Sequence, residues 1–145
     1  MSNEMLEIYT DGSSRYDGEK WIGAYAYAIY KDGKSIYQSS KNLIGGTVNM
    51  CELIAVANAI HTSLKLYPKE YILIKSDSKY VLNGILSPLS MKTNKNGWKL
   101  IHQLIQNQNI KFDKVKAHED NIYNNHVDKL AKEKLREYFK GRENA

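Results

Sequence analysis

Gly23-Ala24-Tyr25-Ala26-Tyr27-Ala28-Ile29-Tyr30-Lys31-Asp32-Gly33 carries a two-residue period that ends in a turn dipeptide. Successive side chains on a strand point to opposite faces, so strict alternation marks a strand, and Asp-Gly is a strong signal for a tight hairpin. The turn leads into a strand over Ser35 to Leu43, which stops at Gly45-Gly46. Upstream, Met5 to Thr10 reads as another strand, so the first half of the chain is a β-meander. A helix follows from Val48 to Leu66, with Thr47 as its N-cap and Tyr67-Pro68 as its stop. It is apolar nearly all round (Leu53, Ile54, Val56, Ala57, Ile60), which calls for burial.

Tyr71-Ile72-Leu73-Ile74 is a short continuous apolar run suited to a central strand covered on both faces. Ser78 can cap a short helix over Lys79 to Leu86, and a polar loop from Ser87 to Gly97 follows. Trp98, Ile101, Leu104 and Ile105 recur at helical spacing, Ile110-Lys111-Phe112 opens a fifth strand, and a last helix carries Val127, Leu130, Ala131, Leu135, Tyr138 and Phe139. The order β-β-β-α-β-α-α-β-α implies an α/β fold: a five-stranded mixed sheet, first an antiparallel meander and then parallel strands, flanked by helices.

With 145 residues, 42% of them hydrophobic, the chain reads as one domain over 1–145 that can bury a core without disulfides. The formal net charge of +5 suits a polyanionic partner or a soluble basic surface. The single cysteine, Cys51, lies among Met50, Leu53 and Ile54 and reads as a packed helix residue. No apolar run approaches the roughly 20 residues of a membrane span, and no basic-then-apolar leader opens the chain. A cytoplasmic location is therefore expected.

Four acidic residues fall where an isolated core would reject them: Asp11 after the first strand, Glu52 in the apolar helix, Asp77 after the fourth strand and Asp128 near the start of the last helix. Unpaired charge at such places loses several kcal/mol or more of hydration, on the order of what a bound cation returns. Strand ends and helix starts converge on one edge of an α/β sheet, so the four side chains can share one site there. Mg²⁺ takes oxygen ligands and is readily shared between a few carboxylates and substrate phosphates. Two such ions about 4 Å apart activate water and stabilise the leaving oxygen in phosphodiester hydrolysis. Each element alone has an ordinary structural reading: Asp-Gly-Ser as a turn, Ser-Asp-Ser as a cap, a helical Glu as solvated.

The ordered set resembles type 1 ribonuclease H over nearly the whole chain. The likeness lies in Tyr9-Thr10-Asp11-Gly12-Ser13; in Thr47 to Ala55 with Asn49 and Glu52; in Ser76-Asp77-Ser78-Lys79-Tyr80-Val81; and in Val115-Lys116-Ala117-His118 followed by Asn124 to Ala131 with Asp128. The resemblance implies the ribonuclease H-like fold and an endonuclease that cuts the RNA strand of RNA/DNA hybrids, leaving 5′-phosphate and 3′-hydroxyl ends. It implies Asp11, Glu52, Asp77 and Asp128 as ligands of two Mg²⁺ ions, with Mn²⁺ able to substitute, and His118 as a catalytic loop residue. Gly12, Ser13, Asn49, Ser78 and Lys79 would read 2′-hydroxyls in the minor groove. Thr47 and Asn94 would hold a DNA phosphate. His61, His102 and His126 have no such match.

Between Asp77 and Trp98 the chain is shorter than bacterial relatives by about a helix and a loop, the basic handle that grips substrate, as in archaeal and retroviral forms. In the polar loop from Ser87 to Gly97 only Lys92 and Lys95 remain as basic residues. A monomer helped in hybrid binding by another nucleic-acid-binding protein or a polymerase is the expectation. Two rivals are a catalytically silent binding module and a DNA-cutting nuclease or transposase of the same superfamily. Retention of the four carboxylates disfavours the first, because phosphates are repelled by them. Asn49 and Ser13 disfavour the second.

Overall fold

The computed structural model describes residues 5–106, 108–115 and 121–143, with 142 and 143 described by backbone alone. Its elements are β1 (Met5–Tyr16), β2 (Trp21–Lys31), β3 (Lys34–Ile44), α1 (Val48–Leu66), β4 (Tyr71–Ser76), α2 (Lys79–Leu86), a 3-10 turn (Pro88–Ser90), α3 (Lys95–Ile105), β5 (Ile110–Lys114) and α4 (Ile122–Glu143). The sheet order is β3-β2-β1-β4-β5, antiparallel from β3 to β1 and parallel from β1 to β5. The expected α/β fold and mixed sheet are therefore present.

The alternation in β2 divides the two layers. Tyr25, Tyr27 and Ile29 face the larger core with Leu53, Val56 and Ile60 of α1, and with Trp98 and Ile101 of α3. Ala26 and Ala28 face the other way, where their small side chains leave room for Tyr9, Val127 and Ala131. The tyrosine hydroxyls are buried beside α1 and find partners there: Asn58 Nδ2 donates to Tyr25 Oη at 3.1 Å, and Tyr27 Oη lies 3.0 Å from Thr62 Oγ1. A buried hydroxyl without a partner costs roughly 1–3 kcal/mol, so these bonds help fix the seating of α1.

Two expectations are corrected. The first strand does not end before Asp11; it runs on to Tyr16, because β2 pairs with it throughout, from Leu6↔Lys31 to Tyr16↔Trp21. The reversal comes at Asp17–Lys20, where Asp17 Oδ1 accepts from the N–H groups of Glu19 and Lys20 at 2.9 Å each. The segment Ser87 to Gly97 is not one loop, since a 3-10 turn opens it and α3 begins at Lys95. Tyr80 ties this segment to α2. Its hydroxyl accepts from Trp98 Nε1 at 2.8 Å and Asn94 Nδ2 at 2.9 Å, and donates to the Thr93 carbonyl at 3.1 Å.

Gly84 of α2 is set by the same packing. A Cβ built there would stand 2.1 Å from the ring of Trp98, which is only 1% exposed. Gly84→Ala is expected to destabilise the protein by roughly 1–3 kcal/mol through overpacking. That outweighs the ~0.5–1 kcal/mol gained by removing a helical glycine. Urea unfolding followed by tryptophan fluorescence measures the balance; a net gain would mean that the Trp98 ring moves aside freely.

Candidate active site

β1 and β4 are adjacent and parallel, and their last paired residues are Tyr9↔Lys75. Two residues further on, each strand carries an aspartate, so continuing the register sets Asp11 opposite Asp77. Asp11 stays in the sheet because β2 still pairs with it, at Ala26, whereas the chain after Ser76 turns into α2. That turn is held by Ser76 Oγ, which accepts from Ser78 N–H at 3.0 Å, and by Ser78 Oγ, which caps α2 by accepting from Val81 N–H at 3.1 Å.

Glu52 arrives from α1. Thr47 caps that helix, accepting from Met50 N–H at 3.3 Å, and Glu52 follows in the second turn. Gly12 permits the approach: a Cβ there would lie 2.7 Å from the Glu52 nitrogen and 2.9 Å from Cys51 Cβ. Backbone contact between β1 and α1 therefore sets Glu52 against Asp11. One carboxylate oxygen from each of Asp11, Glu52 and Asp77 lies within 4.8 Å of the other two. Asp11 and Glu52 are buried and Asp77 is half-buried.

Asp128 joins from α4, whose first turn Asn121 caps by accepting from Tyr123 and Asn124 N–H at 3.0 and 2.9 Å. It stands outside the cluster of three but beside Asp11, on which its charge and hydrogen bonding act. Its Oδ2 lies 3.0 Å from Lys132 Nζ, one helical turn on. Lys132 was not singled out in the sequence, although the four-residue spacing of opposite charges was there to be read.

The electrostatics follow from crowding anions in a dry corner. Burial is the largest cause that pushes Asp11 up to about 7; Asp77 and Asp128 add to it, and a hydrogen bond with Glu52 works against it. Glu52 is raised well above the usual carboxylate range, first by burial and then by Asp11 and Asp77. Their burial side by side opposes ionising both at once. Glu52 Oε2 is buried without a hydrogen-bond partner. An orphaned carboxylate oxygen beside two further acids is what a divalent cation satisfies. With these oxygens all within 4.8 Å of one another, small side-chain adjustments would let them surround an ion with bonds of ~2.1 Å. The donor set, all carboxylate, fits Mg²⁺ or Mn²⁺.

Cys51, next to Glu52, is not part of this donor set. Its sulfur lies toward Gly23, where an added Cβ would come within 2.3 Å of Sγ. Burial, with the Glu52 charge, pushes its thiol up to about 12.

The ribonuclease H family model, described as RNase H, matches residues 3–136. The chain belongs to the ribonuclease H family. Ribonuclease H of Clostridium botulinum is 37% identical over 151 residues, an alignment that covers 90% of this chain and 95% of that protein. Two solved structures share the ribonuclease H fold. LC11-RNase H1 in complex with an RNA/DNA hybrid superposes with a TM-score of 0.78 at 20% identity, covering 92% of this chain and 99% of that one. RNase H1 of the halophilic archaeon Halobacterium salinarum does so at 0.77 and 19%, covering 92% and 98%.

The remaining residues singled out by resemblance to ribonuclease H fall as follows. Gly12 and Ser13 continue β1 directly past Asp11, and Ser78 and Lys79 open α2 directly past Asp77. Thr47 and Asn49 are exposed at the start of α1. Asn94 precedes α3 in a left-handed conformation, φ 54°, and its amide donates to Tyr80. It shares a groove with Met50, Leu53, Ile54 and Gly97, so it lies across from α1. His118 lies outside the described residues. His126 Nε2 sits 2.8 Å from Gln38 Oε1 of β3, and His102 is hydrogen-bonded to Gln106 four residues on.

A carboxyl whose folded pKa is raised binds its proton more tightly in the folded state than in the unfolded state. Asp11 therefore costs metal-free stability as pH rises from about 4 towards about 7, and the cost is complete above that. In EDTA, Asp11→Asn is expected to raise unfolding stability by on the order of a few kcal/mol at pH 8 and by much less near pH 4. Urea titrations of both proteins at the two pH values decide it; an equal gain at both would show that the acid's charge is not the cause.

Proposed function

We propose that Asp11, Glu52, Asp77 and Asp128 hold divalent metal, Mg²⁺ or Mn²⁺, and that the chain, as a ribonuclease H, hydrolyses the RNA strand of RNA/DNA hybrids at this site. The observation that carries the reading is the close set of three carboxylates with an orphaned oxygen on Glu52, in a member of this family. Asp11 and Glu52 are raised because burial and the neighbouring carboxylates oppose their charge, and a cation bound there would remove that opposition. Divalent cations bound among them supply a water acidified towards neutrality and positive charge for the oxygen that leaves.

The chain's own groups do the positioning. Asp11 and Glu52 are locked by burial and by the Gly12 contact, so they form the stiff half of the site. Asp77 and Asp128 are more open, and form the half that substrate reaches. Lys132 holds the Asp128 carboxylate by its Oδ2. The N–H of Gly12 donates to Asp11 Oδ1 at 2.9 Å and fixes that carboxylate's rotation. Ser13 and Asn49, with Ser78 and Lys79, flank the cluster on three separate elements. They can meet a wide minor groove, where 2′-hydroxyls mark the RNA strand. Products with 5′-phosphate and 3′-hydroxyl ends follow from attack of water on the phosphorus with departure of the 3′ oxygen. Among the described residues no helix is long and apolar enough to cross a membrane.

A labelled RNA/DNA hybrid is expected to be cut in its RNA strand with Mg²⁺ or Mn²⁺ and left whole in EDTA, with single-stranded RNA and duplex DNA untouched. Equal cutting of duplex DNA would overturn the hybrid assignment. Asp11→Asn should lower the cleavage rate by at least ~10²-fold, the scale of removing one interaction made to the transition state. Hybrid binding should survive, because the groove contacts remain. Normal turnover by that variant would remove Asp11 from the metal site.

A further inference from the structure

Past Asp11, β1 and β2 continue together beyond the end of β4, and α4 runs alongside them. Asp11 and Arg15 lie on the same face of β1, four residues apart, or ~14 Å at ~3.4 Å per residue. On α4, Arg136 follows Asp128 by eight residues, ~12 Å along the helix at ~1.5 Å per residue. Both elements therefore lead from the carboxylates to one place. There an open groove of about 630 Å³ is lined by Arg15, Arg136, Lys140, Glu133, Glu137 and Phe139.

The groove's charge is more positive than its lining suggests. Glu133 pairs with Lys129 at 3.9 Å and Glu137 with Lys134 at 3.5 Å, and neither lysine lines the groove. Among the described residues Arg15, Arg136 and Lys140 form no ion pair. Arg15 is already arranged: its guanidinium lies 4.2 Å from the centre of the Phe139 ring. A stacked guanidinium loses less freedom when it takes up a ligand.

We propose that this groove binds a backbone phosphate of the hybrid held in the carboxylate site. The proposal rests on the reading of that site as the place where hybrid is cut. Phosphate is the occupant that the charge selects, and the strand entering the carboxylate site brings phosphates within reach. At ~3.4 Å per base pair the phosphate held here falls about four base pairs from the cut. Arg15, Arg136 and Lys140 then extend the grip on one side of the site, on elements that also carry Asp11 and Asp128.

The test measures binding rather than cleavage. An end-labelled hybrid of about 20 base pairs is titrated by fluorescence anisotropy, with Ca²⁺ present, across a series of salt concentrations. Removing one cation that neutralises a phosphate should flatten the plot of log affinity against log salt by about 0.9. The pair Arg136→Gln and Lys140→Gln, which removes most of the grip on that one phosphate, is expected to flatten it by about 0.9 and to weaken binding about tenfold near 0.1 M salt. The pair Lys65→Gln and Lys69→Gln, at the far end of α1, removes the same charge and should leave the slope unchanged. An unchanged slope in the first pair, or an equal change in both, overturns the groove assignment. A wild-type protein that binds hybrid through the groove yet cuts nothing with Mg²⁺ would overturn the function proposed above and leave the groove standing. A wild-type protein that binds no hybrid overturns both.

Discussion

The contact of Gly12 with the first turns of α1 governs the arrangement of the whole site. At 2.7 Å from an added Cβ to the Glu52 nitrogen, no other residue fits, so strand and helix meet backbone to backbone. Everything else accommodates this approach. Tyr25 and Tyr27 reach up to hydrogen-bond Asn58 and Thr62, further along the same helix, and Gly97 lets α3 close over Leu53. The result is a pair of carboxylates placed where neither would go alone, and held there by the packing of three layers. Stability is given up locally for charge density, and the core is large enough to bear it.

A second dependence runs through the opposite face. The alanines of β2 keep that surface low, so α4 can lie close to β1 and bring Asp128 beside Asp11. Tyr9, Tyr30 and Tyr123 form a cluster of edge and tilted contacts at that junction, with ring centres 4.6–5.9 Å apart. Aromatic packing thus sets the depth at which α4 begins, and through it how far Asp128 reaches. One face of the sheet supplies the stiff acid, the other the accessible one, and the edge between them is where they meet.

Much of this was legible in the sequence because it rests on local chemistry. The bounds of α1, Val48–Leu66, follow from Thr47 as a cap and Tyr67-Pro68 as a stop, and α2 follows from Ser78 in the same way. Asp11, Glu52 and Asp77 stood out as charges in apolar settings, and they do converge. What escaped depends on partners distant in the chain. Asp-Gly-Ser has strong turn character, yet β2 overrides it and carries β1 five residues past Asp11. The early start of α3 is tied down by Tyr80 through its bonds to Thr93 and Trp98, and the 3-10 turn by Ser90 bonding the Ser87 carbonyl, contacts that no periodicity announces. Asn94 was assigned to substrate, and its amide also serves this junction.

Cys51 has one more implication. It adjoins Glu52 in the chain, so a potential thiolate, a soft donor beside a site built of oxygen, is only one residue away. The fold turns its sulfur under β2 against Gly23 and keeps it protonated far above neutral pH. The ligand that would most favour zinc or copper is thus kept out of the site. The oxygen character of the site depends partly on concealment: a soft ligand is present but withheld.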